Sequence, residues 1–83
     1  MSELKDLRNK IDEIDLQIVK LLDDRMLICK QVGDYKKANN VPITHSNREN
    51  EIIERLSKSS SFTEEEISEI YQIIFKISKS KQK

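Results

Sequence analysis

Residues 4–38 read LKDLRNKIDEIDLQIVKLLDDRMLICKQVGDYKKA, and the spacing of their apolar side chains decides the fold. Leu4, Leu7, Ile11, Ile14, Ile18, Leu21, Ile28 and Val32 recur at intervals of three and four, with one gap of seven. Side chains so spaced share one face of a 3.6-residue helix, so the pattern predicts a long amphipathic helix. Arg25 fills the gap, a charge where the repeat asks for Leu or Ile. A helix running from residue 3 to Ala38 is about 54 Å long at 1.5 Å per residue. A compact domain of 83 residues is narrower than that, so this helix cannot bury its whole stripe against its own chain.

The flanking residues set the ends of this helix. Ser2 offers a capping hydroxyl, and Glu3 and Asp6 suit the positive end of the helix dipole. Gly33 is the weak point, because a glycine inside a helix costs about 1 kcal/mol relative to alanine. It marks either a helix end or a place where another backbone comes close. We favour the second, since Tyr35, Lys36 and Ala38 continue good helix composition before the stop signal Asn39-Asn40-Val41-Pro42.

After a loop over Asn39 to His45, Ser46-Asn47-Arg48-Glu49 has the form of a capping box. It predicts a second helix over about 47–57, with Ile52, Ile53 and Leu56 turned inward. A polar linker, Ser57 to Ser61, leads to a second capping box, Thr63-Glu64-Glu65-Glu66, with Phe62 placed to staple onto Ile67. The third helix, over about 63–81, takes Ile67, Ile70, Tyr71, Ile74, Ile77 and Ser78 on one face. With one Gly, one Pro and no alternating apolar and polar run, the expected class is all-α, in one domain spanning 1–83.

Composition removes several classes of function. Fifteen basic and fifteen acidic side chains cancel, so no global field draws the chain to nucleic acid or to a membrane surface. An anion site must then come from local clustering. No apolar run approaches the roughly 18 residues of a membrane span, and the charged N-terminus has no apolar core of a signal peptide. A single cysteine, Cys29, forms no disulfide within the chain. A cytoplasmic setting is expected. No metal-ligand cluster or glycine-rich phosphate loop is present.

Function is sought in polar residues that stand where periodicity predicts burial. Arg25 and Lys36 are eleven residues apart, which is about 20° past three full turns, so they point the same way about 16 Å apart along the axis. Arg48 and Glu49 look inward from the first turn of the second helix, while Ser78 and Gln82 continue the buried stripe of the third in polar chemistry. Each has a plainer explanation: a snorkelling arginine, an ordinary Arg25–Glu49 pair, or solvated helix ends. Their coincidence favours a shared anionic ligand, because buried unpaired charge is costly. Arg8, about 25 Å from Arg25 along the same helix, cannot hold the same small molecule. In an antiparallel pair of long helices, Arg8 of one subunit would reach the other's site, giving a two-fold dimer with two sites. His45 reads as a surface residue and Cys29 as a core residue. Lys76, Lys79, Lys81 and Lys83 read as a helix end complementing the dipole.

These residues resemble the AroQ class of chorismate mutases. Leu7-Arg8-Asn9-Lys10-Ile11-Asp12-Glu13-Ile14-Asp15 is similar to the family's L-R-x-x-I-x-x-x-D. Leu21-Leu22-Asp23-Asp24-Arg25 and Val32-Gly33-Asp34-Tyr35-Lys36 are similar to its L-L-x-x-R and V-G-x-x-K. Pro42-Ile43, Arg48-Glu49, Gln72 to Ser78, and Gln82 follow the rest of the pattern. The resemblance implies a three-helix protomer in an intertwined homodimer, and rearrangement of chorismate to prephenate without cofactor or metal. It implies that Arg8 of the partner subunit and Arg25 bind the carboxylates with help from Ser78, that Lys36 and Gln82 donate to the ether oxygen, that Glu49 accepts from the ring hydroxyl, and that Arg48 lines the site. Family members are often fused to other enzymes of the route, which implies docking to such a partner. Where some members carry an acidic residue, this chain has His45. The alternatives are an isochorismate-pyruvate lyase on the same scaffold and a helical dimer without enzymatic activity.

Overall fold

The computed structural model describes residues 2–42 and 46–82. They form three helices, α1 (Glu3–Ala38), α2 (Ser46–Lys58) and α3 (Glu64–Gln82), with no strand among the described residues. Each helix end has a chemical cause. Ser2 is extended, and its Oγ accepts from the Lys5 N–H at 3.0 Å, closing the first turn of α1. At the other end Asn40 takes a left-handed φ of 57°, and the Val41 N–H donates to the Lys36 carbonyl at 2.8 Å. This is the left-handed cap that a second consecutive asparagine tolerates well. At the start of α3 the capping box is reciprocal: Thr63 N–H to Glu66 Oε1 at 2.9 Å, and Glu66 N–H to Thr63 Oγ1 at 3.1 Å. Phe62 stays half exposed while Ile67 is buried. The cap expected from the Ser46 side chain, and His45 itself, lie outside the described residues.

Packing is organised by α3, which lies against both α1 and α2, whereas α1 and α2 do not pack directly on one another. The core is correspondingly thin, with Ile52, Ile67 and Phe75 as the buried large apolar residues among those described. Two faces differ from expectation. On α3 the buried line runs Ile67, Phe75, Ser78 and Gln82, while Ile70 and Ile77 are 47% and 43% exposed. On α1 the face turned to α3 carries Leu22, Arg25, Met26, Cys29, Gly33 and Lys36, which meets the apolar stripe at Arg25 and otherwise lies beside it. The reason is that a helix has room for two contacts on adjacent faces, and the protomer uses one of them.

The stripe itself stays open. Leu4, Leu7, Ile11, Ile14, Ile18 and Leu21 are each 48% exposed or more. The molecule measures 58 × 24 × 16 Å with a radius of gyration of 16.2 Å, against roughly 12 Å for a compact chain of this length. It exposes 6971 Å², where a compact protein of 9.8 kDa exposes roughly 5,200 Å².

Gly33 is buried in the α1–α3 contact, and the backbone that comes close to it is the last turn of α3. A β-carbon built on Gly33 would stand 2.5 Å from the Gln82 carbonyl oxygen and 2.7 Å from its Cα. Gly33→Ala should therefore destabilise the protein by about 1–3 kcal/mol in a denaturant melt, because overpacking here outweighs the helix propensity that alanine adds. A variant as stable as the parent, or more so, would show that the contact is loose.

Candidate functional site

Because α1 and α2 both lean on α3 while their backbones stay apart, a cleft is left between them with α3 as its floor. It holds a cavity of about 550 Å³. Its polar lining is Arg25 and Lys36 from α1, Arg48 and Glu49 from α2, and Ser78, Lys79 and Gln82 from α3. Ile28, Cys29, Val32, Ile52 and Phe75 supply the apolar wall. Ile28 and Val32 are the C-terminal end of the α1 stripe, exposed because they face this space. Four cationic side chains against one carboxylate make the lining strongly electropositive, although the chain as a whole is neutral.

Arg25 is held from α3 by several partners at once. Its Nη1 donates to Ser78 Oγ, and its guanidinium lies 5.9 Å from the ring centres of both Tyr71 and Phe75. Cys29 Sγ is 3.7 Å from the same Nη1. The Ser78 hydroxyl is buried, and its own proton goes to the Ile74 carbonyl at 2.7 Å, which leaves a lone pair for Arg25. A half-buried cation fixed from one side can present its remaining donors to an anion without a large loss of side-chain freedom.

The rest of the cluster is set by helix register. Burial of Gln82, 6% exposed, on Gly33 brings the end of α3 to the level of Lys36, one turn further along α1. Glu49 does not pair with Arg25. Its Oε2 takes Lys79 Nζ at 2.9 Å across the α2–α3 seam. Arg48 reaches the cavity while its Nη1 bonds Glu51 Oε1 at 2.6 Å within α2. Arg8 is exposed near the far end of α1 and takes no part in this cavity.

Six residues singled out by periodicity, Arg25, Lys36, Arg48, Glu49, Ser78 and Gln82, thus line one cavity. Three others depart from the expectation. Lys79 is a cavity residue paired with Glu49, not simply a cation on the helix dipole. Cys29 is on the cavity wall and only half-buried, not in the core. Phe75, which the expected inner face of α3 omits, is buried beneath Arg25. A signal for Phe75 existed: Ile67, Tyr71, Phe75, Ser78 and Gln82 follow one another at four, four, three and four residues. The isoleucine-rich run around them masked it.

Comparison with known proteins identifies the family. The family model described as chorismate mutase type II matches residues 7–83. A chorismate mutase of Methanocaldococcus jannaschii is 35% identical over 86 residues, covering 100% of this chain and 87% of that protein. A bifunctional chorismate mutase/prephenate dehydratase of Aquifex aeolicus is 45% identical over 56 residues, or 68% of this chain, but the match spans 16% of that longer protein. Among solved structures, a conserved hypothetical protein from Pyrococcus furiosus superposes with a TM-score of 0.85 at 37% identity, covering 100% of this chain and 99% of its own. The cationic cleft, the three-helix protomer and these matches lead to one conclusion: the chain belongs to the chorismate mutase type II family.

Proposed function

We propose that the protein is a chorismate mutase, converting chorismate to prephenate on the route to Phe and Tyr. The observation that carries this is the single cavity in which four cations, one carboxylate, a hydroxyl and an amide converge. Chorismate is a dianion with a ring hydroxyl and an ether bond that breaks as a carbon-carbon bond forms. No proton moves and no covalent intermediate arises, so the enzyme has to hold a compact conformer and stabilise charge developing on the ether oxygen.

In this reading Arg25 binds one carboxylate. Ser78 acts mainly through Arg25, since its hydroxyl proton is committed to Ile74. Lys36 and Gln82, brought to one level by the Gly33 contact, donate to the ether oxygen. Glu49 accepts from the ring hydroxyl with Oε1, and Arg48 orders the α2 side. The walls of Ile28, Val32, Ile52 and Phe75 exclude water and so strengthen each of these interactions.

The second carboxylate falls to Arg8 of a partner subunit, in a two-fold homodimer built on the open stripe of α1. The excess exposed area supports this, since about 1,800 Å² is the protomer's share of a large obligate interface. So do the exposed Leu16, Val19 and Leu27 of α1 and Ile73 and Ile77 of α3, which give the partner a second apolar face to cover. A cytoplasmic setting fits an enzyme of this route. The bifunctional Aquifex relative supports association with another enzyme of the same route.

Loss of chorismate absorbance tests the reaction. Wild type should turn over chorismate and not isochorismate, and Lys36→Ala should raise the barrier by about 3–4 kcal/mol, or roughly 10²–10³ in kcat. Absence of turnover by wild type would refute the reading, and cleavage of isochorismate would favour the lyase. Sedimentation tests the assembly: wild type should run as a dimer, and Ile14→Glu, which puts a charge in the middle of the stripe, should run as a monomer with little activity. A monomeric wild type that is fully active would contradict the shared site.

A further inference from the structure

Glu49 and Lys79 stand in a wall. On one side is the cationic cavity, and on the other is a second cavity of about 580 Å³ lined by the same two residues with Gln72, Phe75, Lys76 and Ser80. The pair is therefore part of the site and differs from the surface pairs Arg48–Glu51 and Lys58–Glu54, which lie within one helix. It joins two helices, and the Glu49 side chain is 21% exposed against 46% for Lys79. The bond engages Oε2 of the carboxylate.

A carboxylate in a cavity meant for a dianion brings two difficulties. Its charge opposes the ligand's, and its three rotatable bonds let it leave the position from which it would accept a hydroxyl proton. Lys79 answers both. It holds one oxygen, which restricts the rotamer, and its positive charge offsets the carboxylate as seen from the ligand.

We propose that Lys79 is a positioning residue, which by binding Oε2 of Glu49 keeps Oε1 in place for the ring hydroxyl and removes the repulsion between Glu49 and the dianionic substrate. The proposal rests on the mutase reading above. The hydroxyl and the carboxylates keep their charge through the rearrangement, so the benefit is shared by ground state and transition state and falls on KM.

Steady-state kinetics with chorismate on Lys79→Met, Lys79→Arg, Glu49→Gln and the Lys79→Met/Glu49→Gln double variant test this. Lys79→Met should lose about tenfold in kcat/KM, most of it as a higher KM, and Lys79→Arg should recover most of that loss. The double variant should be no more than about twofold worse than Glu49→Gln alone, because Lys79 acts through Glu49. Unchanged kinetic constants in Lys79→Met, with or without a lower melting temperature, would overturn the proposal while leaving the mutase reading intact. So would losses that multiply in the double variant. A wild type without turnover would remove the mutase reading and the proposal with it.

Discussion

At Gly33 the last turn of α3 lies so close to α1 that even a methyl group would meet the Gln82 backbone. The rest of the site depends on that distance. It sets the register in which Ser78 accepts from Arg25 one turn deeper, and in which Tyr71 and Phe75 come beneath the guanidinium. It also determines where the C-terminal end of α3 lies relative to Lys36. A larger residue at 33 would push α3 away from α1 and loosen Arg25 from the Ser78, Tyr71 and Phe75 that hold it. The cost of a glycine inside a helix, about 1 kcal/mol, is small beside the loss of that contact.

Charge is the second constraint. Arg25, Lys36, Arg48 and Lys79 line the same cavity, and a single carboxylate opposes them. Like charges so placed repel unless they are shared with partners or with a ligand. The fold spreads the burden: Arg25 onto Ser78 and two aromatic rings, Arg48 onto Glu51, and Lys79 onto Glu49. Each tether uses part of a donor set and fixes its direction. A dianion entering the cleft meets cations already oriented, which is the condition under which electrostatic stabilisation needs little reorganisation.

How much of this the sequence discloses depends on whether local or tertiary physics decides the point. Helix ends were legible, because Ser2, the Thr63–Glu66 box and Asn39-Asn40 act on backbone groups within four residues. The role of Gly33 was legible because good helix formers follow it. The cavity lining was largely legible, since Arg25, Lys36, Ser78 and Gln82 interrupt regular apolar spacing. Which face of α1 meets α3 was not, because the helix is apolar on adjacent faces and periodicity gives no preference between an internal contact and an external one. Lys79 was missed for a similar reason: beside three other lysines at a helix end its charge has a sufficient local explanation, and only the position of Glu49 on another helix reveals its partner.

The length of α1 ties these points together. One end carries Arg25, Gly33 and Lys36, and the other carries Arg8 on a stripe that its own chain leaves open. The account's central claim is that this one helix serves two sites, its own and its neighbour's. The most direct measurement mixes Arg8→Ala and Arg25→Ala protomers, each expected to be inactive alone, after unfolding and refolding together. Heterodimers would contain one site with both arginines, and at equal ratio the mixture should recover about one quarter of wild-type activity per chain. A mixture as inactive as its two components would contradict the claim.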